Sequence, residues 1–167
     1  LLPGLPVPER IKTFKESGFN AFEFWCHWQY DLKELAREAG KNAMEIAAFA
    51  TEFISLADSS CREEYLAGFS RSLSAGQTVG CRRIITQVGN ELPGVAAAVQ
   101  TQSIIDGLCA AGELAAKDGF TILVEPLNVL VDHAGYFLSR SDAAAEIIEK
   151  VDMPHVKMLF DIYHQQI

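Results

Sequence analysis

Five times along this 167-residue chain, a segment with helical spacing of apolar residues leads into a short apolar run of the strand-forming kind. The first helix is expected over Pro8 to Ser17, stopped by Gly18, with a strand from Ala21 to Cys26. Asp31 to Ala39 follows, closed by Gly40, before a strand from Glu45 to Thr51. Ser60 can cap a helix from Cys61 to Val79, ended by Gly80, with a strand from Arg82 to Val88. Gly94 to Lys117 leads into Thr121 to Glu125, and Ser141 or Asp142 caps a helix that precedes Val156 to Asp161. Strict alternation forces parallel pairing through helical crossovers, as an open doubly wound sheet or a closed barrel. No Gly-x-Gly-x-x-Gly or Walker loop follows any strand, which favours the barrel. A complete (β/α)₈ TIM barrel takes about 250 residues, so the expected α/β fold is an incomplete one, roughly strands two to six with their helices. The chain opens without Met and stops at Ile167 just past an apolar run. A single partial domain spanning 1–167, truncated at both ends, is the expectation.

Composition narrows the partners. With 49% hydrophobic and 22% charged residues the chain is ordinary globular material. Its net charge of -8, with no basic stripe, opposes nucleic acid. No run of 18 apolar residues is present, so membrane association is not expected. Cys26, Cys61, Cys81 and Cys109 show no Cys-x-x-Cys spacing, which fits a reduced, cytoplasmic chain.

Two acidic residues stand where apolar runs end: Glu125 in Thr121-Ile-Leu-Val-Glu-Pro-Leu-Asn128 and Asp161 in Val156-Lys-Met-Leu-Phe-Asp-Ile-Tyr-His164. A strand buried on both faces reads as a continuous apolar run, so the first charge after it marks the exit from the sheet. In parallel α/β folds that edge is where ligands and metals bind. Pro126 cannot donate to an interior ladder, so the strand should end at Glu125. His164, three residues after Asp161, brings an imidazole near the second carboxylate. Oxygen and nitrogen donors of this kind suit Mn²⁺, Mg²⁺, Co²⁺ or Zn²⁺. Each carboxylate alone is also read as a rim charge or a helix cap.

The stretches Ile122-Leu-Val-Glu-Pro-Leu-Asn128, Asp132-His-Ala-Gly-Tyr-Phe-Leu138 and Lys157-Met-Leu-Phe-Asp-Ile-Tyr-His-Gln-Gln166 resemble the xylose-isomerase-like TIM-barrel superfamily, and within it the hydroxypyruvate isomerases. Gly18-Phe-Asn-Ala-Phe-Glu-Phe-Trp25 is similar to that group's second strand. The resemblance implies one divalent metal (Mn²⁺, Mg²⁺ or Co²⁺) with Glu125 and Asp161 as two ligands. It implies that His164 contacts substrate, and that the ligands of strands seven and eight have no counterpart here. The implied reaction interconverts a small α-hydroxyketone or keto acid and an α-hydroxyaldehyde through an enediolate, with Glu125 as ligand and base. Related ketose 3-epimerases often carry a second Glu six residues after the first. Val131 stands there, which favours a keto-acid isomerase over the 3-epimerase or inosose-type dehydratase alternatives.

Other rim positions are expected to contact the small-molecule substrate: His27 and Trp28, Glu52, Gln87 and Asn128. His155, on the opposite side of its strand, is expected to be structural, and His133 exposed. A different class stays open: a non-catalytic barrel fragment or binding protein, whose uncovered sheet edge is compatible with a homo-oligomer.

Overall fold

The computed structural model describes Leu2 and residues 4–167. Helix α1 (Val7–Glu16) precedes β1 (Ala21–Phe24). There follow α2 (Leu32–Lys41), β2 (Glu45–Ala50), α3 (Arg62–Val79), β3 (Arg83–Thr86), α4 (Ala97–Lys117), β4 (Thr121–Val124), α5 (Ser141–Val151), β5 (Val156–Met158) and α6 (Ile162–Gln165). Single 3₁₀ turns occupy His27–Gln29 and Ser59–Cys61. The strands lie side by side in chain order, every pair parallel. Sequential order with helical crossovers is the barrel arrangement; a doubly wound sheet would reverse direction part-way.

Register explains the two faces. Phe49 pairs with Ile84, Ile84 with Ile122 and Ile122 with Val156, all four completely buried, forming one row under the helices. Tyr65 of α3 reaches the same layer, its hydroxyl 2.9 Å from the Thr86 hydroxyl. Side chains one position along each strand turn to the opposite face. Glu23, Ile85 and Leu123 belong there, and so do Gln87 and Glu125 one rung beyond the Thr86–Val124 pair.

Several element boundaries differ from the sequence-based expectation, each for a local reason. Helix α2 runs through Gly40 and ends at Lys41, and the chain reverses at Ala43 with φ 49°. Helix α3 starts at Arg62, because Asp58 rather than Ser60 caps the preceding turn, accepting from the Ser60 N–H at 2.9 Å. Neither Ser141 nor Asp142 caps α5 from the expected position. The Ser141 N–H is satisfied by Gln165 Oε1 of α6 at 2.9 Å. Strand β5 stops at Met158 instead of reaching Asp161. Its last rung is Leu159 N–H to Val124 O at 2.9 Å, since Pro126 ends the ladder on β4.

Candidate metal and substrate site

Glu125 extends β4 by one hydrogen bond, its N–H donating to Thr86 O at 3.2 Å. Its side chain is buried, 3% exposed, and Oε2 has no hydrogen-bond partner. A buried ionised oxygen without a partner is costly, so the group resists ionisation. Its pKa is pushed up to about 7, chiefly by burial, then by Asp161 and, more weakly, by Glu23. The nearby Gln87 amide pulls the other way without reaching good hydrogen-bond geometry.

Asp161 caps α6, its Oδ1 accepting the Tyr163 N–H at 2.8 Å. The other oxygen, Oδ2, lies 4.0 Å from His164 Nε2, which is also 4.0 Å from Glu125 Oε1. Ligand atoms of Glu125, Asp161 and His164 all fall within 4.8 Å of one another. Two carboxylates converging on one point, one of them with an orphaned buried oxygen, suit a hard divalent cation. The donor set fits the metal that the sequence resemblance implies.

His164 is held from behind. Asn128 offers it both the backbone N–H, at 3.3 Å from Nδ1, and the side-chain amide, at 2.9 Å. Gln165 anchors the same helix, donating to Pro126 O at 3.2 Å and Ser139 O at 3.4 Å. His133, expected to be exposed, is half-buried with its ring 5.4 Å from that of His164. His155 bonds Gly112 O at 2.7 Å, on the helix layer.

The remaining expected contacts divide. Gln87 stands beside Glu125 with both amide atoms buried and unpartnered, so it has hydrogen-bonding capacity to offer. Trp28 is exposed at the rim and meets Phe53 edge-on, ring centroids 5.5 Å apart. Three residues depart from the expected mouth-facing placement. His27 is buried in the helix layer, Nε2 3.0 Å from Ser72 Oγ of α3, and burial lowers its pKa. Glu52 is committed to Arg71 of α3 by two hydrogen bonds, at 2.7 and 2.5 Å, and the guanidinium holds its carboxyl below the usual range. Asn128 is 2% exposed and has both side-chain polar atoms engaged within the protein.

Two residues went unassigned at the sequence level. Tyr136 donates its hydroxyl to Glu125 O at 3.0 Å and accepts the Val88 N–H at 2.8 Å, tying the ends of β3 and β4 together. Glu23, an acid inside an apolar strand, shares the face of Glu125; burial and the Asp161 charge raise its pKa. Its alternation against Phe22 and Phe24 was the available signal. The groove of about 590 Å³ between α1 and the edge of β1 is lined by Phe14, Phe22, Glu23 and Tyr30, and by neither Glu125 nor Asp161.

A parallel strand–helix array with its strands in sequential order is a barrel arrangement, and comparison with known proteins agrees. The chain belongs to the xylose isomerase-like TIM barrel family, whose pattern matches residues 11–167. It is similar to the 2-oxo-tetronate isomerase of Cupriavidus necator, 30% identical over 95% of this chain and 64% of that one. It is also similar to the hydroxypyruvate isomerase of Escherichia coli, 25% identical over 94% of this chain and 64% of that one. A crystal structure titled AP endonuclease, family 2, from Brucella melitensis superposes with a TM-score of 0.92 at 25% identity, covering 100% of this chain and 67% of that one. The chain thus spans under two thirds of the length of these two isomerases. Among the described residues no helix is long and apolar enough to cross a membrane.

Proposed function

We propose that this chain carries the metal-binding half-site of a divalent-metal-dependent isomerase. Its substrate is a small α-hydroxyketone or keto acid of the hydroxypyruvate type, converted to the α-hydroxyaldehyde. One observation carries the reading: Glu125 is a buried carboxylate with an unpartnered oxygen, its ligand atom within 4.8 Å of those of Asp161 and His164. The names of the related isomerases support the reaction class.

Glu125 and Asp161 would hold Mn²⁺, Mg²⁺ or Co²⁺, which when bound stabilises negative charge developing on the substrate's two oxygens. Proton transfer is the work of the side chains. In this reading Glu125 takes the proton from the hydroxyl-bearing carbon and delivers it to the neighbouring carbonyl carbon, while the hydroxyl proton passes to the carbonyl oxygen. Gln87 supplies amide contacts to a substrate hydroxyl or carbonyl, and Trp28 with Phe53 forms an apolar wall at the rim. A net charge of -8 disfavours a DNA substrate.

Turnover of hydroxypyruvate and of 2-oxo-tetronate by the full-length protein with added Mn²⁺ tests the reading, against Glu125→Gln and Asp161→Asn. Loss of turnover in both variants is expected. Undiminished turnover in both would overturn it.

A further inference from the structure

The hydrogen bonds behind His164 determine what that ring can do. Asn128 Oδ1 accepts two backbone N–H groups, from Val131 at 3.0 Å and Asp132 at 3.2 Å. Its Nδ2 therefore faces the other way, donating to His164 Nδ1 at 2.9 Å and toward Asp132 Oδ2 at 3.4 Å. Flipping the amide would set an NH₂ against two N–H donors and an oxygen against a carboxylate, so the orientation is fixed by its neighbours. The Asn128 backbone N–H points to the same ring nitrogen at 3.3 Å. Two donors aimed at Nδ1 require it to accept. A neutral imidazole that accepts at Nδ1 carries its proton on Nε2.

That proton faces the carboxylate cluster. Among the described residues Nε2 makes no hydrogen bond, and the nearest carboxylate oxygens stand at 4.0 Å. Histidines that bind metal through Nε2 donate from Nδ1 to a carboxylate or carbonyl, which leaves the Nε2 lone pair bare. The arrangement here is the reverse, although His164 lies within ligand distance of the two acids.

We propose that Asn128 is a positioning residue that holds His164 as the Nε2–H tautomer, so that the ring presents a donor rather than a lone pair to the space between the two carboxylates. Asp132 completes the support: it lies beside Asn128 Nδ2 and accepts from the Tyr163 hydroxyl, on the helix that carries His164. The catalytic consequence rests on the isomerase reading above, whereas the tautomer does not.

The test is ¹⁵N NMR of histidine-labelled full chain without metal, with the His164 signals assigned by their loss in His164→Gln. The expected wild-type ring has a pyrrole-type Nε2 and a pyridine-type Nδ1. Asn128→Asp replaces the donor with an acceptor and should protonate Nδ1. Asn128→Ala leaves only the backbone donor and should give a mixed ring. In turnover, Asn128→Asp should lower kcat by about 100-fold, the usual scale for losing one aligned donor to developing charge, with a smaller change in KM. A wild-type ring protonated on Nδ1, or rings unchanged in both variants, overturns the proposal. If the wild type turns over no hydroxy-carbonyl compound, the isomerase reading fails and the nitrogen signals still decide the tautomer.

Discussion

The Tyr136 hydroxyl donates to the backbone carbonyl of Glu125 at 3.0 Å and, through the N–H it accepts from Val88 at 2.8 Å, locks that residue to the strand carrying Gln87. The position of the buried carboxylate is therefore set by a side chain eleven residues downstream. Tyr136→Phe strands one buried N–H and one buried carbonyl. The expected cost is about 1–3 kcal/mol of folding stability, read from urea denaturation. The same variant should lower the metal affinity of the Glu125 site in a Mn²⁺ titration.

Glu125 makes stability depend on pH in a direction opposite to most carboxylates. Its pKa is about 7 in the folded chain against an ordinary 4.5. Between those values the folded state holds the extra proton, so stability is fully present below pH 4.5 and falls as pH rises through 7. The contribution lost is about 3 kcal/mol. Glu125→Gln removes it. The metal-free variant should be more stable than the wild type at pH 8, with the difference vanishing near pH 4, as measured by thermal unfolding at each pH.

The repeated helix–strand pattern was legible because the strand residues under the helices are apolar and several of those between them, such as Ile85 and Leu123, are apolar as well, which keeps the runs unbroken. Where tertiary partners decide, the sequence was silent. The end of β5 is dictated by Pro126 just past the end of β4, and the first N–H of α5 is satisfied by Gln165 from 24 residues away. The acids of the site could be found because a charge interrupts an apolar run. The placement of Glu52 and His27 could not, since both are decided by partners on α3, Arg71 and Ser72, that no local pattern reveals. Asn128 was expected to contact substrate, but its hydrogen bonds into the protein depend on the fold of the loop after β4.

Two glycines should respond in opposite directions. Gly89, just past β3, has φ 93°, and an added Cβ would fall 2.5 Å from Ser55 Oγ and 3.0 Å from Ser55 Cα. Gly89→Ala is expected to destabilise by more than about 1 kcal/mol, through backbone strain and collision with the Ser55 backbone. Gly40 lies inside α2 with nothing within 4 Å of the Cβ position. Gly40→Ala should stabilise by up to about 1 kcal/mol. Chemical denaturation of the two variants side by side reads both.

Asp161 separates structure from metal binding within one side chain. Oδ1 accepts the Tyr163 N–H as the cap of α6, while Oδ2 faces the cluster. Asparagine caps helices about as well as aspartate, so Asp161→Asn should keep α6 in place. The charge that the cation needs is gone, and so is one of the two repulsions that hold the Glu125 carboxyl protonated. Stability of the metal-free chain at pH 7 should therefore stay level or rise slightly, as the Glu125 pKa moves back toward 4.5. Mn²⁺ affinity should drop by more than the about 10–100-fold that losing an outer-shell partner typically costs. Calorimetric Mn²⁺ titration gives the affinity, and ¹³C NMR of the labelled Glu125 carboxyl gives the titration. An unchanged affinity with an unchanged Glu125 titration would place Asp161 outside the site, as a helix cap alone.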